Sequence, residues 1–385
     1  MIPLPARTRA ALTATASAMA VFVCVGWAIT GPSAEKRATT SGLADSAAAS
    51  LRVARSLGAS SRAPLSLSFA EEAYAAGLLE QRRQELRMSF RRDYRQARMT
   101  LDLARTVADR AASASRSKAK RENTSAANAV AAARRTLATL QGVEDRVWMP
   151  PTVRHRLQRA RALAAEGSAL MAAGSYDSAA ARARQSTDEA KAVSASLWGI
   201  TSRYADTEHL ARWRGWVADA AAWSKRTGKT ALVVDKDAHQ VVVYREGRVL
   251  RVFDAELGWN NVGDKRSKGD GATPEGHYRV TEMKGRGRSR YHKALLLDYP
   301  NAEDIRNLDA LKASGAVPRT TRPGGLIEIH GNGGRGKDWT DGCVAVTDEE
   351  MDELFKLVAV GTPVTIVGSR AGAGVFATTA RRLRP

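Results

Sequence analysis

The spacing of apolar residues changes a little past the middle of the chain. Residues 35–227 are rich in Ala, Arg, Ser, Glu and Gln and show almost no alternation of apolar and polar side chains. From Thr230 the segment ALVVDKDAHQVVVYREGRVLRVFDAELG alternates, with a turn at Glu246-Gly247. Strands repeat every two residues and helices every 3.6 residues. The sequence therefore predicts an all-α region of helical hairpins at 35–227, followed by a mainly β domain with a few helices at 229–369.

Individual elements can be placed within both regions. The first region is predicted to form helices over 66–115, 122–146, 153–173 and 175–197. Residues 162–186 carry small side chains around a Gly-Ser-Tyr turn and weakly resemble one hairpin of the tetratricopeptide type. The second region is predicted to add strands at 278–280, 294–297, 326–329, 344–346 and 364–367, with helices at about 301–313 and 348–359. The basic stretch 370–385 is predicted to be a disordered tail.

The first 34 residues have the pattern of a targeting segment. Arg7 and Arg9 are followed by an uncharged run from Ala10 to Ala34. Such a pattern is typical of a cleaved signal peptide or an uncleaved signal anchor. Because basic flanks stay in the cytoplasm, we expect the rest of the chain to be exported to the periplasm or cell envelope. If it is not cleaved, the segment 10–30 would anchor the chain in the inner membrane.

The chain is strongly basic, with 60 Lys and Arg against 40 Asp and Glu and a formal net charge of +20. This balance predicts an anionic neighbour, either a membrane or wall surface or a nucleic acid. Aromatic residues make up only 6% of the chain and are not interleaved with basic ones, so we expect no nucleic-acid partner. Solvated helix surfaces are the ordinary explanation for the arginine-rich segments, and docking on an anionic membrane or wall surface is the alternative. These segments contain Arg82, Arg83, Arg91, Arg92, Arg134 and Arg135.

A histidine and a cysteine flank a glycine-rich loop near the end of the second region. The predicted strand at 326–329 ends on His330-Gly331, and the loop that follows leads to Thr340-Asp341-Gly342-Cys343. Thr347 and Glu350 then form the capping box of a helix. A cysteine in such a place can be a small buried hydrophobe. A cysteine with a nearby base and an open approach can also be a nucleophile, and here His330 would be that base.

These motifs resemble the L,D-transpeptidase catalytic-domain family. The family signature is HG, a loop and then S/T-x-G-C, which stands here as His330-Gly331 and Thr340 to Cys343. The pieces GDGATPEGHYRV, SRYHKALLLDYPN and GTPVTIVG follow the family order, and the match covers roughly the last 140 residues. Two positions depart from the family pattern. Asp341 stands where many members have a second His, and Ala345 stands where many have Arg or Asn.

The resemblance implies an exported enzyme with a cysteine nucleophile that acts on peptidoglycan stem peptides. Cys343 would form a thioester at diaminopimelate and pass the acyl group to an amine, with His330 as general base and acid. The Gly342 backbone would donate a hydrogen bond to the oxyanion. We expect a backbone carbonyl to orient His330, with Glu328 as a secondary candidate. The substrate-binding candidates are Gly331, Thr340, Asp341, His292 and Tyr291, and no metal or cofactor is expected.

Two other functions remain open from the sequence. The changed residues Asp341 and Ala345 allow a hydrolytic version of the same thiol chemistry, as in an amidase or carboxypeptidase that trims wall peptides. A non-catalytic scaffold that binds wall or membrane through residues 35–227 is the third possibility. The presence of both His330 and Cys343 favours an enzyme over a scaffold.

Overall fold

The computed structural model of the protein describes residues 34–384. The signal or anchor predicted over 1–34, including the run 10–30, therefore lies almost wholly outside the described residues. Within them, no helix is both long enough and apolar enough to cross a membrane. The chain divides into two compact units, Met1–Ala127 and Asn128–Pro385.

The first unit is helical. It contains α1 (34–56), α2 (Ala59–Arg62), α3 (Pro64–Glu85) and the beginning of α4 (Arg95–Thr139). Its core is built mostly from alanine, which lets helices approach closely, and consists of Leu51, Ala54, Ala59, Leu67, Ala70, Ala108, Ala111 and Ala112. The single helix predicted over 66–115 is wrong, because the chain turns at 86–94 through a 3₁₀ segment, Ser89–Arg91. Side chains hold this turn: Gln84 Oε1 accepts a hydrogen bond from the Asp93 N–H at 3.0 Å.

The second unit begins with the end of α4 and continues with three further helices, α5 (Pro151–Ala172), α6 (Tyr176–Thr201) and α7 (Thr207–Thr227). Helices α5 and α6 pack as a hairpin around small residues. A Cβ atom on Gly167 would lie 3.2 Å from the Ala179 carbonyl oxygen. The Ser186 hydroxyl donates to the Ala160 carbonyl at 2.7 Å. The helical part of the predicted architecture is therefore confirmed.

One eight-stranded sheet follows, in the order β3-β2-β1-β8-β4-β5-β6-β7. Its strands are β1 (Ala231–Asp235), β2 (Gln240–Arg245), β3 (Arg248–Asp254), β4 (Gly276–Lys284), β5 (Ala294–Leu297), β6 (Glu328–His330), β7 (Val344–Ala345) and β8 (Pro363–Val367). The pairs β1–β8 and β6–β7 are parallel, and the others are antiparallel. Isolated bridges join Glu256 to Ala345 and Gly258 to Thr340, so the sheet curls until the chain after β3 meets β7.

The sheet separates two hydrophobic cores, because successive strand residues face opposite sides. Leu232 and Val234 of β1 pack in a core with α9 (Asp348–Leu357). Ala231 and Val233 pack in the other core, which also receives residues from α5, α6 and α7, among them Leu157, Leu197 and Trp213. Helix α8 (Ala302–Ala313) lies between β5 and β6 in sequence. The secondary structure thus changes at residue 229, but the helices before this point and the sheet after it share one hydrophobic core.

The segment predicted as a disordered tail forms helix α10 (Val375–Leu383). Phe376 and Leu383 are buried in the same core as α5 to α7. The Asp237 carboxylate, in the turn after β1, accepts hydrogen bonds from the N–H groups of Gly374, Phe376 and Ala377. These bonds satisfy the free donors at the helix start. The prediction was wrong because basic composition says nothing about this distant carboxylate.

Candidate active site

The parallel pair β6–β7 brings the predicted histidine and cysteine together. His330 ends β6 and lies opposite Ala345 of β7, and Ile329 lies opposite Val344. Residues opposite each other across a sheet share a face, as do residues two apart along a strand. Cys343, immediately before β7, therefore continues the face that carries His330 and Ala345. The loop between the strands is closed by the Gly333 N–H, which donates to the Val346 carbonyl at 2.8 Å.

His330 is fully buried, and its hydrogen bonds define its tautomer. Its Nδ1 lies 2.6 Å from the Gly331 carbonyl oxygen. Since that oxygen only accepts, we assign the proton to Nδ1 and the lone pair to Nε2. Nε2 has no hydrogen-bond partner among the described residues. The imidazole is thus oriented by a backbone carbonyl, as expected, whereas the secondary candidate Glu328 pairs with Lys284 at 2.6 Å.

Aromatic rings hold the imidazole from two sides. The Tyr291 ring stacks on it with centroids 3.6 Å apart and planes 6° apart. Trp339 meets it edge to face at 5.9 Å. Burial lowers the pKa of His330, while the Gly331 carbonyl acts in the opposite direction. The neutral imidazole is therefore the resting form at neutral pH, with Nε2 able to accept a proton.

The Cys343 thiol is partly buried and does not bond to the imidazole. Its Sγ donates to the Leu326 carbonyl at 3.6 Å. Burial raises the pKa of Cys343 to about 11, against smaller lowering effects from the Glu328 N–H and Lys265. The resting site therefore pairs a neutral thiol with a neutral imidazole.

The turn before the cysteine is held by Thr340. Its hydroxyl donates to the Cys343 carbonyl at 2.6 Å and accepts from the Gly342 N–H at 3.2 Å. The predicted oxyanion donor Gly342 is thus wrong in this arrangement, because its N–H already has a partner. The N–H of Cys343 has no partner within residues 34–384. It is the backbone donor nearest the Cys343 thiol that remains available.

Gly342 is required by geometry rather than by hydrogen bonding. Its φ is +126°, a region that residues with a side chain rarely adopt. A Cβ atom there would lie 2.6 Å from the Ala272 carbonyl oxygen. Gly331 is similarly restricted, since its Cβ would lie 2.6 Å from the Asp348 carboxylate. Both glycines keep backbone close to its neighbours in the site.

Of the remaining predicted binding residues, one lies at the site rim and one faces away. Asp341 is exposed, and Oδ1 accepts from Trp259 Nε1 at 3.3 Å. His292 was predicted to line the cleft, but it is directed toward α9, where Nε2 lies 2.6 Å from Asp352 Oδ1. Its neighbour Tyr291 does contact His330. The prediction for His292 is therefore wrong, because the Asp352 carboxylate of α9 binds the imidazole on the other side.

Three residues at the site were missed by the sequence analysis. Lys265 is 3% exposed at its side chain, pairs with Asp270 at 2.9 Å and lies close enough to lower the pKa of Cys343. Trp339 donates from Nε1 to Glu256 Oε2 at 2.7 Å. The other oxygen of Glu256 accepts from the Gly336 N–H at 2.6 Å. Glu256 therefore fixes the ring that packs on His330, and it also ties down the glycine-rich loop.

A cavity of about 560 Å³ lies beside this loop. Ala345, which is itself fully buried, is among the residues that border it. Its charged walls include Glu256, Asp338, Glu350, Lys337 and Arg146. In the described part of the chain, no group of three or more His, Cys, Asp or Glu side chains is arranged to hold a metal ion.

His330 thus ends one strand of the curled sheet, and a Gly-Cys turn leads into the parallel neighbouring strand. Residues 229–366 match the family model YkuD, the L,D-transpeptidase catalytic domain. The match covers residues 229–366 of the 385-residue chain, and the resemblance predicted from the motifs is confirmed over that segment.

Individual relatives are similar over parts of their length. "Putative L,D-transpeptidase YafK" of Escherichia coli strain K12 is 33% identical over 97 residues, which cover 25% of this chain and 32% of that protein. The match thus spans about a third of that relative. The structure of Bdellovibrio bacteriovorus Bd1075 is 20% identical, covers 41% of this chain and 54% of its own, and has a TM-score of 0.29. An L,D-transpeptidase from Xylanimonas cellulosilytica is 18% identical over 36% of this chain and 60% of its own, with a TM-score of 0.25.

Proposed function

We propose that the protein is a cysteine L,D-transpeptidase that acts on peptidoglycan stem peptides. The observation that carries this proposal is the state of His330. Its Nδ1 donates to a backbone carbonyl, and its buried Nε2 has no hydrogen-bond partner within residues 34–384, on the face that also carries Cys343. A buried nitrogen that accepts no hydrogen bond is unfavourable for folding. Such a nitrogen is suited to take the proton of the neighbouring thiol.

The first half of the reaction forms a thioester. His330 Nε2 takes the Cys343 proton as the sulfur attacks the carbonyl carbon of the third stem residue, diaminopimelate. The oxygen becomes an oxyanion that accepts from the Cys343 N–H. The intermediate then collapses, the C–N bond to D-alanine breaks, and the imidazolium returns its proton to the leaving amine.

The second half transfers the acyl group. An amine on a neighbouring stem attacks the thioester carbonyl while His330 takes the amine proton. The C–S bond breaks, and the imidazolium protonates the Cys343 sulfur, which restores the free thiol. The products are a cross-link between third residues and a regenerated enzyme. Water at this step would give a trimmed stem peptide instead.

The site of action proposed for this chemistry is the cell envelope. Support comes from the catalytic-domain family and from the basic and apolar pattern of residues 1–34. The proposed substrate, the peptidoglycan stem peptide, follows from the family. Asp341 and Ala345, which depart from the family pattern, are the two residues that we propose to influence the choice of acceptor.

The test uses the full chain, its Cys343→Ala variant and a Cys24→Ser control. Each is incubated with purified disaccharide-tetrapeptides, and products are read by mass spectrometry. We expect cross-linked dimers with loss of D-alanine from the parent and the Cys24→Ser protein, but none from Cys343→Ala. If Cys343 were needed only for trimmed monomers and no dimers formed, the protein would be a hydrolase of stem peptides and not a transpeptidase. Identical products from the parent and Cys343→Ala would refute thiol catalysis and favour the scaffold.

A further inference from the structure

The turn between α3 and α4 presents large apolar side chains to solvent. Leu86, Met88 and Phe90 are 86%, 68% and 65% exposed, and Leu79 on the last turns of α3 is 55% exposed. We refer to residues 79–92 as the α3–α4 tip. Single exposed apolar residues are ordinary on protein surfaces, but a cluster of this kind marks a contact surface.

The tip has a defined shape that keeps these side chains outward. The Arg92 guanidinium donates to the carbonyls of Arg87 at 3.0 Å and Glu85 at 3.1 Å. Tyr94, only 1% exposed, anchors the chain just beyond the turn. The apolar side chains are therefore displayed by a turn with its own hydrogen bonds. A contact through them would not require the turn to be reorganised.

Positive charge surrounds the apolar cluster. The tip contains Arg82, Arg83, Arg87, Arg91 and Arg92. The nearby carboxylates are already paired: Glu80 with Arg83 at 3.6 Å, Glu85 with Arg37 at 3.1 Å and Asp93 with Arg95 at 2.8 Å. Within the described chain, Arg82, Arg87 and Arg91 have no carboxylate partner. These three guanidinium groups remain available to an external anion.

We propose that the α3–α4 tip docks the protein on an anionic lipid surface. Leu86, Met88 and Phe90 would enter the boundary between headgroups and acyl chains, while the arginines meet lipid phosphates. Arginine suits this place because its stem packs on apolar groups while its charged end stays at the headgroups. An anionic wall polymer could neutralise the arginines, but it offers no apolar layer for the three exposed side chains. An anionic lipid surface therefore accounts for both the exposed apolar side chains and the arginines.

The test follows the environment of the tip directly. A polarity-sensitive fluorophore is attached at Ser89→Cys in the full chain, which also carries Cys24→Ser and Cys343→Ala to remove other thiols. The matched control carries the fluorophore at Ser66→Cys, an exposed position at the other end of α3. With phosphatidylglycerol vesicles we expect a blue shift from position 89 and none from position 66. Phosphatidylcholine vesicles at the same lipid concentration should leave both positions unchanged.

Two sets of variants separate charge from apolar contact. Each basic residue near an anionic surface strengthens binding to it about fivefold. The triple variant Arg82→Gln, Arg87→Gln and Arg91→Gln should therefore need about a hundredfold more phosphatidylglycerol to give the same blue shift. Leu86→Ser with Met88→Ser and Phe90→Ser should remove the blue shift. Leu65→Ser, which changes a side chain 87% exposed at the far end of α3, should leave it intact. Circular dichroism checks that each variant is folded.

Several results would overturn the proposal. The first is no blue shift with phosphatidylglycerol, and the second is an equal shift with phosphatidylcholine. The third is an unchanged blue shift in either the triple arginine variant or the triple apolar variant. A blue shift without lipid that grows with protein concentration would assign the tip to a second copy of the chain. Without lipid, emission from position 89 could also be blue-shifted relative to position 66 at every protein concentration. That result would show that another part of the same chain covers the α3–α4 tip.

Discussion

His330 and Cys343, the candidate catalytic side chains, are both in neutral forms in the free protein at neutral pH. Burial raises the pKa of Cys343 to about 11 and lowers the pKa of His330 below its ordinary value. A thiolate and an imidazolium formed in advance would both be poorly solvated there. We therefore expect proton transfer to accompany attack on the substrate, with His330 neutral throughout the physiological range.

The raised thiol pKa predicts slow alkylation of the free protein. Below its pKa, a thiol reacts with iodoacetamide in proportion to its thiolate fraction, so the rate for Cys343 should rise about tenfold per pH unit. No levelling should occur between about pH 6 and pH 10, since the pKa lies near 11. The rates are measured by mass spectrometry in a Cys24→Ser background. A plateau reached near pH 7 would instead reveal a preformed thiolate–imidazolium pair.

Trp339 should position the imidazole through Glu256. Trp339→Phe keeps a ring against His330 but loses the N–H that donates to Glu256. A hydrogen bond to a charged group is worth about 1.5–3 kcal/mol, so a loosened ring should lower kcat/KM about tenfold. Trp223→Phe, in α7, is the control and should leave kcat/KM unchanged. If Trp339→Phe lowered Tm without affecting kcat/KM, its role would be structural only.

Residue types pointed to the candidate pair His330 and Cys343 but not to its surroundings. His330 and Cys343 could be placed because a strand, a glycine-rich loop and a second strand are local patterns. Glu256 and Lys265 come from chain segments far from Cys343 in sequence, and their approach depends on how the sheet curls. The oxyanion donor was misassigned to Gly342 because the reach of the Thr340 hydroxyl depends on the geometry of the folded turn.

At the scale of elements, the Thr340 to Cys343 turn connects the loop to β7. Gly342→Ala should destabilise this turn by about 3 kcal/mol, because it combines backbone strain with a close approach to the Ala272 carbonyl. Gly361→Ala is the matched control, since Gly361 also has a positive φ of +88° but nothing within 4 Å of its Cβ position. It should cost only about 1 kcal/mol, the strain alone. Thermal unfolding measures both, and equal losses would exclude the steric contribution.

Elements with local signals were predicted closely. The alternating runs became strands β1 to β8, and the capping box of Thr347 and Glu350 begins α9 as predicted. The break at 86–94 could not be predicted, because its sequence contains no glycine or proline and the turn is held by side chains. Helix α10 was missed for a related reason, since the Asp237 carboxylate that begins it lies more than a hundred residues earlier.

At the scale of the whole molecule, helices and sheet share a core inside the second unit. Trp213 of α7 and Leu157 of α5 are fully buried in the core that contains Val233 and Val242. Asn261, after β3, also accepts from the Trp148 N–H at 3.1 Å and donates to the Arg146 carbonyl at 2.9 Å. The matched catalytic-domain segment 229–366 therefore does not contain all of the packing that supports it.

A fragment experiment tests this dependence. A chain of residues 128–385 should unfold in one cooperative transition, because it keeps the second unit together. A chain of residues 229–385 should bind a hydrophobic dye and lose cooperative unfolding, since the core partners from α5 to α7 are absent. Circular dichroism melts and dye fluorescence are the measurements. Equal cooperativity in the two fragments would show that the sheet is stable without the helices.

The position of α10 also orders events during synthesis. Phe376 and Leu383 belong to a core whose first residues, Leu140 and Val143, lie more than two hundred residues earlier. One side of that core remains uncovered until residues 375–383 have left the ribosome, although its other residues emerged much earlier. Contacts between such distant segments close late, since the intervening chain must first be ordered. The growing chain would therefore expose apolar surface for most of its synthesis, and a chaperone would find its longest-lived binding site on the side that α10 finally covers.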